Sequence, residues 1–122
     1  MSDFKNKTFL QSIKRSLIGV KTGFRLEKNF KNYIAQYLLF FIYNLLVLHL
    51  GVELLFIFLG LGAGVLALEF VNTAIEKVCD FIKDDYSVHI RDIKDMAASA
   101  VLVFGLVFYA FEITVTVLKI MN

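Results

Sequence analysis

The fold is decided by residues 33–68, which read YIAQYLLFFIYNLLVLHL, then GVE, then LLFIFLGLGAGVLAL. A third apolar run extends from Met96 to Ile120. A helix that crosses a bilayer needs about 20 mainly apolar residues. The first and third runs meet this length directly, whereas the second does so only if Glu69, Asn72 and Glu76 lie inside its helix. The sequence therefore predicts an all-α integral membrane protein whose transmembrane helices lie at 32–50, 54–80 and 95–120.

The composition agrees with this prediction and excludes several classes of protein. Of the 122 residues, 58% are hydrophobic, and none is a proline. Soluble domains usually contain about 45–50% apolar residues, so a disordered chain is excluded and an ordinary soluble fold is disfavoured. The length fits one domain, 1–122. The single cysteine, Cys79, excludes an intramolecular disulfide and a cysteine-based metal cluster.

The basic residues indicate the orientation of the chain. Residues 1–31 hold eight of the thirteen Lys and Arg and lack the apolar core of about 7–15 residues that a cleavable signal peptide carries. The short turn predicted at Gly51–Glu53 has no Lys or Arg, whereas the segment from Lys77 to Lys94 is basic. By the positive-inside rule, we expect a multi-pass protein with a cytoplasmic N-terminus.

The basic leader, residues 1–31, has the pattern of an amphipathic surface helix. At about 100° per residue, the apolar residues fall on one stripe of the helix: Phe9, Ile13, Leu17, Val20 and Phe24. The basic residues lie on the opposite side: Lys7, Lys14, Lys21 and Arg25. Such a helix suits the headgroup layer of a membrane; the alternative is a solvated helix packed on a partner. Glu27 falls on the apolar stripe, which makes it a candidate site residue.

The second apolar run carries a stripe of oxygen-bearing side chains. Glu69, Asn72, Glu76 and Asp80 are spaced i, i+3, i+7 and i+11, so they share one helix face. Ionisable groups inside a membrane are costly and usually mark function, and several oxygens in a row suit Mg²⁺ shared with phosphates. A helix that simply leaves the membrane would explain Asp80 and partly Glu76, but not Glu69.

Further polar residues accompany the other two apolar runs. Lys94 and Asp95 stand where the third run begins, where a lysine can neutralise a polyphosphate, although helix capping and snorkelling explain such a pair equally well. His49 and Glu112 stand near the ends of their runs that are predicted to face the outside of the cell. We expect both at the membrane interface there. His89 is expected to be solvated.

Two segments together resemble the signature of the prokaryotic diacylglycerol kinase family, including its undecaprenol kinase branch. Residues 69–80, EFVNTAIEKVCD, match the pattern E-x-x-N-[ST]-A-I-E-x-x-x-D, and residues 94–100, KDMAASA, match the K-D-x-x-[AGS]-[AGS]-A that follows. Residues 26–30, LEKNF, look like an element typical of the undecaprenol kinase branch. The resemblance covers nearly the whole chain.

The resemblance implies a homotrimeric lipid kinase of the bacterial inner membrane that uses ATP and Mg²⁺ and has no nucleic-acid partner. By motif position, Glu69 would be the general base and contact the lipid alcohol together with Glu27. Glu27 and Glu76 would hold Mg²⁺. The nucleotide would be bound by the remaining motif residues and Glu76: Asn72, Glu76, Asp80, Lys94 and Asp95.

The identity of the acceptor stays open at the level of the sequence. Undecaprenol is the expected acceptor, and diacylglycerol is the close alternative. A small multidrug-type exporter also uses short antiparallel helices and a membrane glutamate, but such exporters usually have four spans and need no Lys-Asp pair. A purely structural membrane subunit would leave Glu69 and Asn72 without a purpose.

Overall fold

The computed structural model describes residues 8–82 and 87–122, and this part of the chain is helical throughout apart from its turns. Four helices follow one another: α1 (Phe9–Leu26), α2 (Phe30–Leu46), α3 (Val52–Ile82) and α4 (Val88–Met121). The expected all-α fold is confirmed. The first residues of the predicted leader, 1–7, and residues 83–86 of the predicted cytoplasmic loop lie outside the described residues.

Helices α3 and α4 are long and apolar enough to cross a membrane, with 31 and 34 residues. Helix α2 has 17 residues, which correspond to about 25 Å at roughly 1.5 Å per residue. Among the described residues, only α3 and α4 meet the length and hydropathy expected of a span. The span predicted at 32–50 is therefore shorter than expected, and it begins at Phe30 and ends at Leu46.

The connection between α2 and α3 explains why α2 ends early. The chain leaves the helix after Leu46 and turns through residues 47–51, not at Gly51–Glu53 as predicted, so that Glu53 lies in the first turn of α3. His49 has a φ angle of 47°, in the left-handed region that cannot continue a right-handed helix. Leu48 and Leu50 turn inwards on either side of it and pack with Val115 of α4.

Helix α1 approaches α3 most closely near its C-terminal end. An added side chain at Gly23 would collide with the ring of Phe70, so glycine permits close approach there. Beside it, Phe24, Phe30 and Phe70 form an aromatic cluster with ring centroids 4.5–6.1 Å apart. The remaining apolar stripe of α1 stays exposed, with Phe9 82% accessible, as a helix lying in a membrane surface requires.

The centre of the bundle is aromatic. Phe58 of α3 is fully buried and stacks on Tyr37 of α2, with ring centroids 4.9 Å apart. Phe108 of α4 packs against both rings. Gly62 gives Tyr37 the space it needs, since an added side chain would meet that ring. This packing sets the separation of α2, α3 and α4 and thereby the walls of the site.

A buried polar pair joins α2 and α4 at the end of the bundle near the α2–α3 turn. The Asn44 Nδ2 donates to Glu112 Oε1 over 2.8 Å. Asn44 is 0% and Glu112 4% exposed. Glu112 is therefore buried inside the bundle, where Asn44 supplies a hydrogen-bonding partner, and its position at the level of the membrane interface stays a prediction. His49, by contrast, is exposed.

Candidate active site

The side chains of the predicted oxygen stripe become more exposed from one end to the other along helix α3. Glu69 is 8% exposed, Asn72 and Glu76 are half-buried, and Asp80 is exposed. The Asn72 Nδ2 donates to Glu76 Oε1 over 3.2 Å, one helical turn away. The prediction that these residues share one face is consistent with this bond, because residues four apart on a helix are neighbours.

The docking of α1 brings Glu27 to the same stripe. Glu27 follows directly after α1, and its Oε1 accepts a hydrogen bond from the Asn29 backbone N–H over 3.0 Å. The carboxyl groups of Glu27 and Glu76 both lie within electrostatic reach of Glu69. These three residues, Glu27, Glu69 and Glu76, form a carboxylate cluster between the end of α1 and the middle of α3.

Lys94 lies beside the exposed end of the stripe. Its Nζ donates to Asp80 Oδ1 over 2.6 Å and thus joins α4 to α3. Lys77 approaches the other oxygen of Asp80 at 4.0 Å, and the Lys94 charge also acts within reach of Glu76. Asp95 follows on the exposed surface of α4. Lysines therefore face the carboxylates at the polar end of the site.

An apolar cavity of about 370 Å³ opens from Glu69 into the bundle. Its walls come from three helices: Tyr33, Ile34, Gln36 and Tyr37 from α2; Gly62, Ala63, Val65, Leu66 and Glu69 from α3; Val101, Leu102, Gly105, Leu106, Phe108 and Tyr109 from α4. This volume is within the range of small-ligand sites. Glu69 therefore stands at the boundary between an apolar cavity and a polar, charged surface.

Two aromatic hydroxyl groups belong to this site and were not predicted. Tyr33 of α2 interacts with the Glu69 carboxyl group through its side chain. The Tyr109 hydroxyl of α4 donates to Gln36 Oε1 over 2.9 Å. Their partners are 36 and 73 residues away in sequence, so no local spacing could have revealed either pair. His89, which was set aside as solvated, is exposed in the first turn of α4.

The donor set fits a magnesium ion that is shared with a phosphorylated ligand. Asn72 Oδ1 is buried and has no hydrogen-bonding partner among the described residues. Among the described residues, no three carboxyl groups lie close enough together to hold a metal ion by themselves. Mg²⁺ is commonly held by one or two carboxylates and substrate phosphates, and Glu27 and Glu76 supply that number.

The comparisons with known proteins give one family. The family model described as prokaryotic diacylglycerol kinase matches residues 14–117. A curated relative, the undecaprenol kinase of Bacillus subtilis (strain 168), is 35% identical over 99 residues, which cover 81% of this chain and 80% of the relative. No solved structure gives a significant match. The matched range contains α2 and α3 in full, with most of α1 and α4.

Proposed function

The chain belongs to the prokaryotic diacylglycerol kinase family, and from this premise we propose that it transfers the γ-phosphate of ATP to the hydroxyl group of a membrane lipid. One observation carries the proposal. Glu69 lines the apolar cavity and also lies within electrostatic reach of Glu27 and Glu76. A reaction between a membrane-soluble alcohol and a water-soluble polyphosphate requires such a boundary.

The reaction proceeds by direct phosphoryl transfer. The lipid hydroxyl enters from the cavity, and its oxygen attacks the γ-phosphorus of ATP. Glu69 takes the hydroxyl proton as this O–P bond forms, and the bond between the γ-phosphorus and the β,γ-bridging oxygen breaks to release ADP. Catalysis of this kind depends on positioning and on charge stabilisation. Tyr33, beside Glu69, orients its carboxyl group.

The remaining residues of the site bind the nucleotide. Asn72, Glu76, Asp80 and Lys94 form the polar end, and Asp95 would join them when the nucleotide is bound. Lys94 neutralises the phosphates after exchanging its bond with Asp80 for the nucleotide. Glu27 and Glu76 would hold the magnesium ion. When bound, Mg²⁺ supplies positive charge that stabilises the developing charge on the phosphate oxygens.

Undecaprenol is the acceptor we propose. The relative that is 35% identical is an undecaprenol kinase, and the match spans most of both chains. Diacylglycerol is the second candidate, because the matching family model is described by that activity. We further propose a homotrimer in the bacterial inner membrane with a cytoplasmic N-terminus. The exposed apolar surfaces of α3 and α4 support a membrane environment.

A pair of variants at Glu69 tests the proposed base. Glu69→Gln removes the proton acceptor but keeps the side-chain volume, and we expect turnover to fall about 10²–10⁴-fold. Glu69→Asp keeps the acceptor but withdraws it by one methylene, so it should retain more activity than Gln. ATP affinity should barely change in either variant. Purified protein is assayed by transfer of radiolabelled γ-phosphate to lipid, with Glu53→Gln at the opposite end of α3 as the control.

The same assay identifies the acceptor. Undecaprenol and diacylglycerol are offered separately in mixed micelles, and we expect undecaprenol to be labelled far better. Preferential labelling of diacylglycerol would change the acceptor without changing the mechanism. A Glu69→Gln variant that is more active than Glu69→Asp would remove Glu69 from the role of base, since it would show that hydrogen bonding alone suffices there. Labelling of neither lipid would overturn the kinase proposal.

A further inference from the structure

The walls of the cavity contain two glycines in different surroundings. At Gly62 an added side chain would meet the Tyr37 ring, so this glycine serves the packing of α2 on α3. At Gly105 an added Cβ would have no heavy atom within 4 Å, although Gly105 lines the cavity. The absence of a side chain at Gly105 therefore leaves space that packing within this chain does not require.

A hydrogen bond joins α2 to α4 next to this space. Tyr109 lies one helical turn beyond Gly105, and its hydroxyl is hydrogen-bonded to Gln36 of α2 over 2.9 Å. Both residues also line the cavity. Since this bond and the packed rings of Tyr37, Phe58 and Phe108 join the helices, the free width beside Gly105 depends on the size of its own side chain.

Any acceptor whose hydroxyl reaches Glu69 must place its first tail carbons along this wall. The cavity follows α4 from Val101 to Tyr109, which is about 12 Å of helix, with Gly105 in the middle. An isoprenoid chain carries a methyl branch on every isoprene unit, whereas a polymethylene chain carries none. The branched chain is wider, and close-packed apolar walls discriminate at the level of single methyl groups.

We propose that Gly105 is a specificity-determining residue that admits the methyl branches of a polyprenol tail next to the reacting hydroxyl. This inference rests on the proposed function, because it places the acceptor hydroxyl at Glu69. It deepens that proposal by naming the feature of the tail that is recognised. The recognised property is the branching of the chain near the alcohol, in a cavity that Tyr37 and Gln36 of α2 also line.

The test compares two primary alcohols, phytol and 1-hexadecanol, which have the same main-chain length and differ in four methyl branches and one allylic double bond; the double bond is the same for every variant, so a change in the ratio between variants reports on the fit of the chain. Gly105→Leu fills the space, and Gly105→Ala fills part of it. Gly60→Leu is the matched control, because Gly60 is also in a helix, also has open space around an added Cβ, and lies outside the cavity. The measured quantities are kcat/KM for each alcohol, with undecaprenol as the reference acceptor, and KM for ATP.

We expect Gly105→Leu to lower the phytol-to-hexadecanol ratio of kcat/KM by about 10-fold or more with KM for ATP unchanged, and Gly105→Ala to fall between. An unchanged ratio, or a change equal to that of Gly60→Leu, would overturn the inference and leave the kinase proposal intact. If the wild-type protein phosphorylates no alcohol, both proposals fail together. Circular dichroism and gel filtration establish that each variant is folded, and Gly105→Ala still decides the question if Gly105→Leu is not.

Discussion

The buried hydrogen bond between Asn44 and Glu112 gives a sharp prediction about stability. Asn44 Oδ1 and Glu112 Oε2 are both buried, and neither has a hydrogen-bonding partner among the described residues. A glutamine at 112 keeps an oxygen to accept from Asn44 Nδ2 and adds an N–H₂ group that can donate to Asn44 Oδ1. Glu112→Gln should therefore be as stable as the wild-type protein or more stable. Glu112→Leu should be less stable, because it leaves the Asn44 amide unpaired.

The expected magnitudes follow from the burial of both side chains. An unpaired buried polar group costs about 1–3 kcal/mol, so Glu112→Leu should lower the free energy of unfolding by that amount. Replacing both partners by apolar residues of similar shape is often nearly neutral, and the double variant Asn44→Leu/Glu112→Leu should recover most of the loss. Recovery of that size would give a coupling energy above the average of about 0.6 kcal/mol for hydrogen bonds between membrane helices.

Unfolding in mixed micelles by increasing sodium dodecyl sulfate, followed by circular dichroism, measures these differences. Kinase activity should be retained in Glu112→Gln, because Asn44 lies eleven residues along α2 from Tyr33, or about 16 Å. If Glu112→Gln loses as much stability as Glu112→Leu, the carboxylate charge is required at this position and the hydrogen-bonding argument is refuted. Glu53→Gln, exposed in the first turn of α3, controls for the loss of a charge.

Two further variants test how the site is assembled. Glu76→Gln keeps the side-chain volume and removes the charge, so turnover with Mg-ATP should fall at least about 10-fold with unchanged circular dichroism; near-normal turnover at saturating Mg²⁺ would refute the metal role. Gly23→Ala should destabilise the protein by about 1–3 kcal/mol and lower activity, because the new methyl group meets the Phe70 ring. Gly19→Ala, with open space around its Cβ, should increase the free energy of unfolding by roughly 0.5–1 kcal/mol. Equal changes in stability for Gly19→Ala and Gly23→Ala would contradict close packing at Gly23.

The features that the sequence predicts correctly are those that depend on the spacing of residues within a single helix. The spacing of Glu69, Asn72, Glu76 and Asp80 specifies one face of α3 without reference to any other helix. The end of α2 was predicted too late because the apolar residues continue to Leu50. The left-handed conformation of His49 cannot be read from the spacing of apolar residues.

The pairs between helices were beyond prediction for a different reason. Asn44 and Glu112 are 68 residues apart, and Gln36 and Tyr109 are 73 residues apart. Whether such residues meet depends on the rotation and axial register of two helices, which aromatic packing around Phe58 sets. Lys94 was predicted at the start of the third apolar run, but its bond to Asp80 depends on the register of α4 on α3.

The change of environment along α3 explains why the site lies where it does. From Gly62 to Asp80 the helix passes from an apolar cavity, through the buried Glu69, to the exposed Asp80, a rise of about 27 Å. A charge at the level of Glu69 is costly in a membrane unless it faces a cavity or partners, whereas nucleotide phosphates need water and lysines. Glu69 is the residue of the stripe that borders both environments. In the proposed reaction, moving the carboxylate one turn towards Val65 would separate it from the phosphates, and moving it one turn towards Thr73 would separate it from the cavity.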